Sequence, residues 1–73
     1  MKITNEYLVS IRKSKDFTIE LDNGKEIIIN KWIVEDDNEV DNEWNFVEGQ
    51  QIFDKLSEEE QDKVSDFINE LVL

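Results

Sequence analysis

The sequence predicts an α+β domain: an N-terminal helix, a three-stranded antiparallel sheet, then one short and one longer helix. Three observations carry that prediction. Phe17, Ile19 and Leu21 alternate with Asp16, Thr18, Glu20 and Asp22, the period-two pattern of a strand with one buried face. Asn23-Gly24 follows, the dipeptide best suited to a two-residue hairpin turn. Val64, Phe67, Ile68, Leu71 and Val72 recur at helical spacing behind a Ser57…Glu60 capping box.

The elements follow in order. Residues 4–14 fit a helix capped by Thr4 or Asn5, with Ile3, Tyr7, Leu8 and Ile11 on one face. Tyr7, Val9 and Ile11 also alternate as a strand would; the helix is the expectation. A type I′ turn at Asn23-Gly24 sets the hairpin register, so that Asp22 faces Lys25, Ile19 faces Ile28 and Asp16 faces Lys31. Ile28, Trp32 and Val34 then share the face of Phe17 and Ile19, and Ile27, Ile29 and Ile33 lie on the other. Residues 35–42 read as an acidic loop and Glu43–Val47 as the third strand, with Trp44 and Phe46 on one face. Gly49 ends that strand, and Gln50–Leu56 makes the short helix. In the last helix Glu58, Glu59 and Glu60 suit the positive end of the helix dipole.

Length and composition bound the answer. Seventy-three residues make one domain, 1–73. A chain of this size buries only about 60% of its unfolded surface. With no Cys, no disulfide can staple it. Seven aromatic residues, Trp32 and Trp44 among them, argue against a wholly disordered chain. No signal peptide is visible, and no apolar run exceeds three residues, the length of Ile27–Ile29, which excludes a membrane-spanning helix. The expected location is the cytoplasm.

Charge is the dominant feature. Residues 1–34 carry six basic and five acidic side chains; residues 35–73 carry two and fourteen, giving −11 overall. Glu35, Asp36, Asp37, Glu39, Asp41, Glu43 and Glu48 run without an intervening Lys or Arg. Such one-sided charge opposes folding by self-repulsion. It also argues against direct binding to nucleic acid or an anionic membrane, and for a basic partner. Enzyme chemistry is disfavoured: without His or Cys there is no ordinary nucleophile–base pair. Asp37, Glu39, Asp41, Asn45 and Glu48 meet the spacing of a calcium loop, but the Asn23-Gly24 turn and Ile27–Ile29 make the entering segment a strand. No metal or cofactor is expected. The bland reading of the acidic run is a solvated loop. The functional reading is that it imitates a line of phosphates and competes for a basic nucleic-acid-binding groove. The residues assigned to that surface are Asp16, Asp36, Asp37, Asn38, Glu39, Asp41 and Glu43, with Glu58, Glu59 and Glu60 lining up beside them.

The opening Ile3…Leu8…Ile11, followed by Lys15-Asp16-Phe17-Thr18-Ile19…Leu21, resembles the start of small acidic type II-A anti-CRISPR proteins. The resemblance covers under a third of the chain. It implies a helix, a three-stranded sheet and further helices, and a DNA-mimicking surface set against the PAM-reading site of an RNA-guided nuclease. Asp16 matches an acidic position before the first strand. Asp36, Asp37, Asn38 and Glu39 resemble the acidic-amide turn between the second and third strands. The chain departs from the family in being shorter and in placing its second acidic cluster, Glu58–Asp62, at a helix start. The rival reading is an assembly protein, or an acidic immunity protein or antitoxin. It would use the Ile27, Ile29 and Ile33 face to bind a host subunit or a second copy in a homodimer.

Overall fold

A computed structural model of the chain describes residues 1–10, 14–37 and 39–73, the side chains of Val9, Ser10 and Asp36 excepted. Four antiparallel strands form a meander: β1 (Lys2–Ser10), β2 (Ser14–Glu20), β3 (Glu26–Asp36) and β4 (Glu39–Glu48), in the spatial order β1-β2-β3-β4. Two helices follow, α1 (Gln50–Asp54) and α2 (Glu58–Asn69). The class α+β holds, but the sheet has four strands and no helix precedes it.

The N-terminal segment is therefore a strand. Ile3 sits opposite Ile19, and Tyr7 opposite Asp16. Without β1, the outer edge of β2 would leave a row of backbone N–H and C=O groups unpaired beside the core. That need decides between the two periodicities that residues 4–14 satisfy; Ile11 lies outside the described residues. Two register shifts, at Ile3/Asn5 and Leu8/Ser10, absorb the imperfect alternation.

The β2–β3 hairpin differs from its expected register by one residue. Ile19 faces Ile27, Phe17 faces Ile29 and Lys15 faces Lys31. The turn is a three-residue loop, Asp22-Asn23-Gly24. The Leu21 N–H donates to Lys25 O at 2.8 Å, and the Gly24 N–H donates to Leu21 O at 2.9 Å. Gly24 takes the left-handed conformation, φ 82°. This is a type I turn closed by a bulge, the next commonest hairpin solution after I′. The Asn23 side chain accepts from the Lys25 N–H at 2.9 Å, which favours it further. Asp22 is drawn instead to the Met1 ammonium at 2.6 Å, which holds its carboxyl below the usual carboxylate range.

A one-residue slip moves every side chain of a strand to the opposite face. Ile27 and Ile29 consequently join Phe17, Ile19 and Leu21 in the buried core, with Val64 and Ile68 of α2 closing it. The face they share, covered by the helices, is called the covered face below. Ile28, Asn30, Trp32 and Val34 point the other way, to an open face outside the core cluster, which α1 approaches only at the Ile28 end. Trp44 and Phe46 lie on the covered face and pack edge to face, centroids 5.2 Å apart; Phe46 meets Phe53 of α1 at 5.1 Å.

The same slip carries Lys31 to the covered face, where it is 1% exposed. Its ammonium donates to the carbonyls of Ile68, Asn69 and Leu71 at 2.8, 3.1 and 2.9 Å. All three donors are thus satisfied by carbonyls at and just beyond the C-terminal end of α2, whose own last turn carries no basic residue. A helix C-terminus holds partial negative charge and orphan carbonyls, so a cation there supplies both needs. Burial lowers the Lys31 pKa from its ordinary value. Asp16, its expected partner, faces Asn30 and accepts from the Asn30 amide at 2.8 Å.

The C-terminal helix begins as expected. The Ser57 hydroxyl accepts from the Glu60 N–H at 3.2 Å, and Glu58, Glu59 and Glu60 occupy the first turn. Val64 and Ile68 are buried, while Val72 lies beyond the helix and is 82% exposed. Gly49 joins β4 to α1 at φ 91°, with its α-carbon pressed against Ile27: an added Cβ would stand 3.0 Å from the Ile27 Cγ2.

Candidate functional site

The acidic stretch is a hairpin, not a loop. β3 continues to Asp36 and β4 begins at Glu39, with Val34 opposite Asp41, Glu35 opposite Val40 and Asp36 opposite Glu39. Asp37 occupies the turn with φ 26°, a conformation that Asp tolerates better than most residues. Asn38 lies outside the described residues.

Strand periodicity then sorts the charges. Glu39, Asp41 and Glu43 share the open face, while Val40, Asn42 and Trp44 share the covered one. Same-face residues recur about every 6.8 Å along a strand, so these three carboxylates form an evenly spaced line. All three are exposed. Among the described residues none of them pairs with a cation. Asp41 accepts from the N–H of its neighbour Asn42, at 2.8 Å. Asp16 belongs to the same face two strands away, half-buried and held by Asn30.

The second acidic cluster does not join them. Glu58, Glu59 and Glu60 sit at the start of α2, in the helix layer on the other side of the sheet. The α2 C-terminus is tied to Lys31, partway along β3 toward the Asp36 turn, so its N-terminus lies at the end far from that turn. Glu59 is also paired with Lys63 at 3.9 Å. The expectation that both clusters line one surface is corrected: the sheet separates them.

Three further carboxylates reach the open face without having been assigned to it: Glu20, which stands opposite Glu26 and pairs with Lys2 at 3.3 Å, and two that pair with no cation among the described residues. Glu48 stands opposite Ile28 after a register shift at Ile28/Ile29, and Glu26 precedes Ile28 by two residues. Their placement follows only from the true register. The apolar part of the face is Ile28, Trp32 and Val34, each partly exposed. This corrects the expected Ile27, Ile29 and Ile33 surface, of which Ile27 and Ile29 are core at 1% and 0% exposure. Cross-strand neighbours alternate apolar and acidic: Ile28 with Glu48, Trp32 with Glu43, Val34 with Asp41.

The calcium-loop spacing falls across a tight turn and an extended strand, so Glu39, Asp41 and Asn45 follow a line instead of closing around a centre. Among the described residues no three carboxylates converge as metal ligands would. No helix among the described residues is long and apolar enough to cross a membrane. Compared with known proteins, the chain matches no family model, no curated protein and no solved structure.

Proposed function

We propose that the protein is a non-catalytic inhibitor that sets its acidic open face against the nucleic-acid-binding groove of a basic partner. The observation that supports this is the line Glu39, Asp41 and Glu43, exposed, on one face, and without a cation partner among the described residues. A stable fold gains nothing from such a line, because like charges on one face repel. A partner rich in Lys and Arg would relieve that repulsion and be steered onto the surface. The spacing sets a limit. One charge per about 6.8 Å along a strand is sparser than the one per about 1.7 Å of duplex DNA, so the line imitates a stretch of one backbone, not a whole duplex.

The resemblance of residues 1–21 makes a type II-A RNA-guided nuclease the first partner to test, with the bacterial cytoplasm as the place of action. That resemblance implied an N-terminal helix, and β1 stands in its place. The nuclease is therefore the specific version of the proposal and the basic groove the general one. The test measures binding of the protein to the guide-loaded nuclease across a salt series, with PAM-bearing DNA as competitor. Binding should fall steeply with salt, and Glu39→Gln/Asp41→Asn/Glu43→Gln should weaken it tenfold or more, a loss of at least about 1.4 kcal/mol. Equal binding by variant and wild type at low and high salt would remove the acidic face from the interface. If the nuclease itself does not bind, capture from a bacterial lysate followed by the same salt series tests the general form.

A second reading rests on Ile28, Trp32 and Val34. An assembly, immunity or antitoxin-type protein would use this apolar stripe as the main contact, and its binding would vary little with salt. Trp32→Ala would then weaken the complex more than the triple charge variant does.

A further inference from the structure

At the end of the open face farthest from the acidic turn there is a cleft of about 310 Å³. It is lined by Thr18 of β2, by Glu26 and Ile28 of β3, by Glu48 of β4, and by Gly49, Gln51 and Ile52 at the start of α1. Glu48 is the cross-strand partner of Ile28, and Glu26 lies two residues along the same strand. The two carboxylates are thus diagonal neighbours, a relation that sets residues on the order of 7–8 Å apart. Glu20, paired with Lys2 at 3.3 Å, stands directly opposite Glu26 on the same face, an arrangement unfavourable for two like charges. Glu26 accepts a hydrogen bond from the Thr4 hydroxyl at 2.8 Å. Neither Glu26 nor Glu48 pairs with a cation among the described residues. A recess that combines the side chains of Ile28 and Ile52 with two such carboxylates complements a positive charge on an alkyl stem.

We infer that this cleft is a receptor for a single arginine or lysine side chain of a partner, with the stem on Ile28 and Ile52 and the cationic head between Glu26 and Glu48. The planar fork of a guanidinium can meet both carboxylates at once, so arginine is favoured over lysine. This deepens the reading of a basic partner and rests on it for the identity of the ligand. It adds an anchor at the far end of the face from Glu39, and so fixes the orientation in which a basic groove would lie along β4. A line of carboxylates alone would leave that orientation free to slide.

The inference can be tested without any partner. The ¹⁵N-labelled protein is titrated with butylguanidinium chloride and followed through its amide resonances, with guanidinium chloride and butylurea as controls for charge alone and stem alone. Butylguanidinium should shift the amides of Thr18, Ile28, Gly49 and Ile52 saturably in the millimolar range, and each control should bind several-fold more weakly. Glu26→Gln/Glu48→Gln should weaken the butylguanidinium response about tenfold, while Glu39→Gln/Asp41→Asn should leave it unchanged. The inference is overturned if shifts centre on Asp37 and Glu39, if butylurea binds as well as butylguanidinium, or if no amide saturates. Because the probe is a small cation, these results stand apart from the partner test. A cleft that binds the probe while the triple β4 variant still binds the partner would retain this site and reject the acidic line.

Discussion

Two residues hold positions that chemistry alone makes replaceable by almost nothing else. Gly49 combines φ 91° with a contact that a Cβ would push to 3.0 Å from Ile27. Gly24 has a similar φ but open space around its α-carbon. Gly49→Ala should therefore cost more than about 1 kcal/mol and more than Gly24→Ala, read as a shift in urea midpoint. Equal midpoints would mean that the approach to Ile27 relaxes freely. Lys31 is the other position. Lys31→Met keeps most of the stem and loses the three bonds to the carbonyls of Ile68, Asn69 and Leu71, so it should destabilise by about 1.5–3 kcal/mol, the range for hydrogen bonds to a charged group. Its pH dependence has a defined sign. Burial lowers the folded-state pKa below the ordinary 10.5. In the window just below that value the unfolded chain binds more protons than the folded one, so stability rises with pH there. Relative to Lys31→Met, wild type should gain stability as pH climbs through that window and show no such slope near neutrality. Chemical denaturation of both proteins from pH 7 to 10.5 checks it.

At the scale of elements, the hairpin register decides which side chains form the core. Ile29 is fully buried and Ile28 only partly. Ile29→Ala should cost about 2–5 kcal/mol, as large-to-small core changes do. Ile28→Ala should cost clearly less. The reverse order would restore the type I′ register and the opposite assignment of faces. The C-terminal helix offers a second test. Ser57 accepts from the Glu60 N–H, so Ser57→Ala should cost about 1 kcal/mol. A larger loss would mean that α2 relies on its first turn more than on Val64, Ile68 and the Lys31 anchor.

For the molecule as a whole, net charge and fold work against each other. The −11 charge repels itself, most strongly where Glu39, Asp41 and Glu43 share one face. Removing those charges should leave stability unchanged or raise it, with the gain largest at low ionic strength, where the Debye length is about 30 Å at 0.01 M. Thermal unfolding of Glu39→Gln/Asp41→Asn/Glu43→Gln beside wild type, at low and at physiological salt, measures this. A variant less stable at both would mean that the line serves the fold. Repulsion along the line would then give no reason for a partner.

Several features follow from residue order alone, because they depend on neighbours a few positions apart. The Ser57 cap and the Val64–Ile68 stripe are of this kind, as are the β2 alternation, the aromatic face of Trp44 and Phe46, and the excess of carboxylates after Val34. The alternation of Glu39, Asp41 and Glu43 was present too, though a loop reading concealed its meaning. Tertiary structure decided what local pattern left balanced. Residues 4–14 satisfied two periodicities, and the unpaired edge of β2 chose the strand. Asp22-Asn23-Gly24 could close a hairpin in two registers. β3 carries apolar side chains on both faces, so either register buries a row of isoleucines. What separates them is packing across the sheet: only one places Ile27 and Ile29 under Val64 and Ile68 and brings Lys31 to the carbonyls of α2. That choice, made far from the turn, also sets Glu26 and Glu48 on the open face around their cleft.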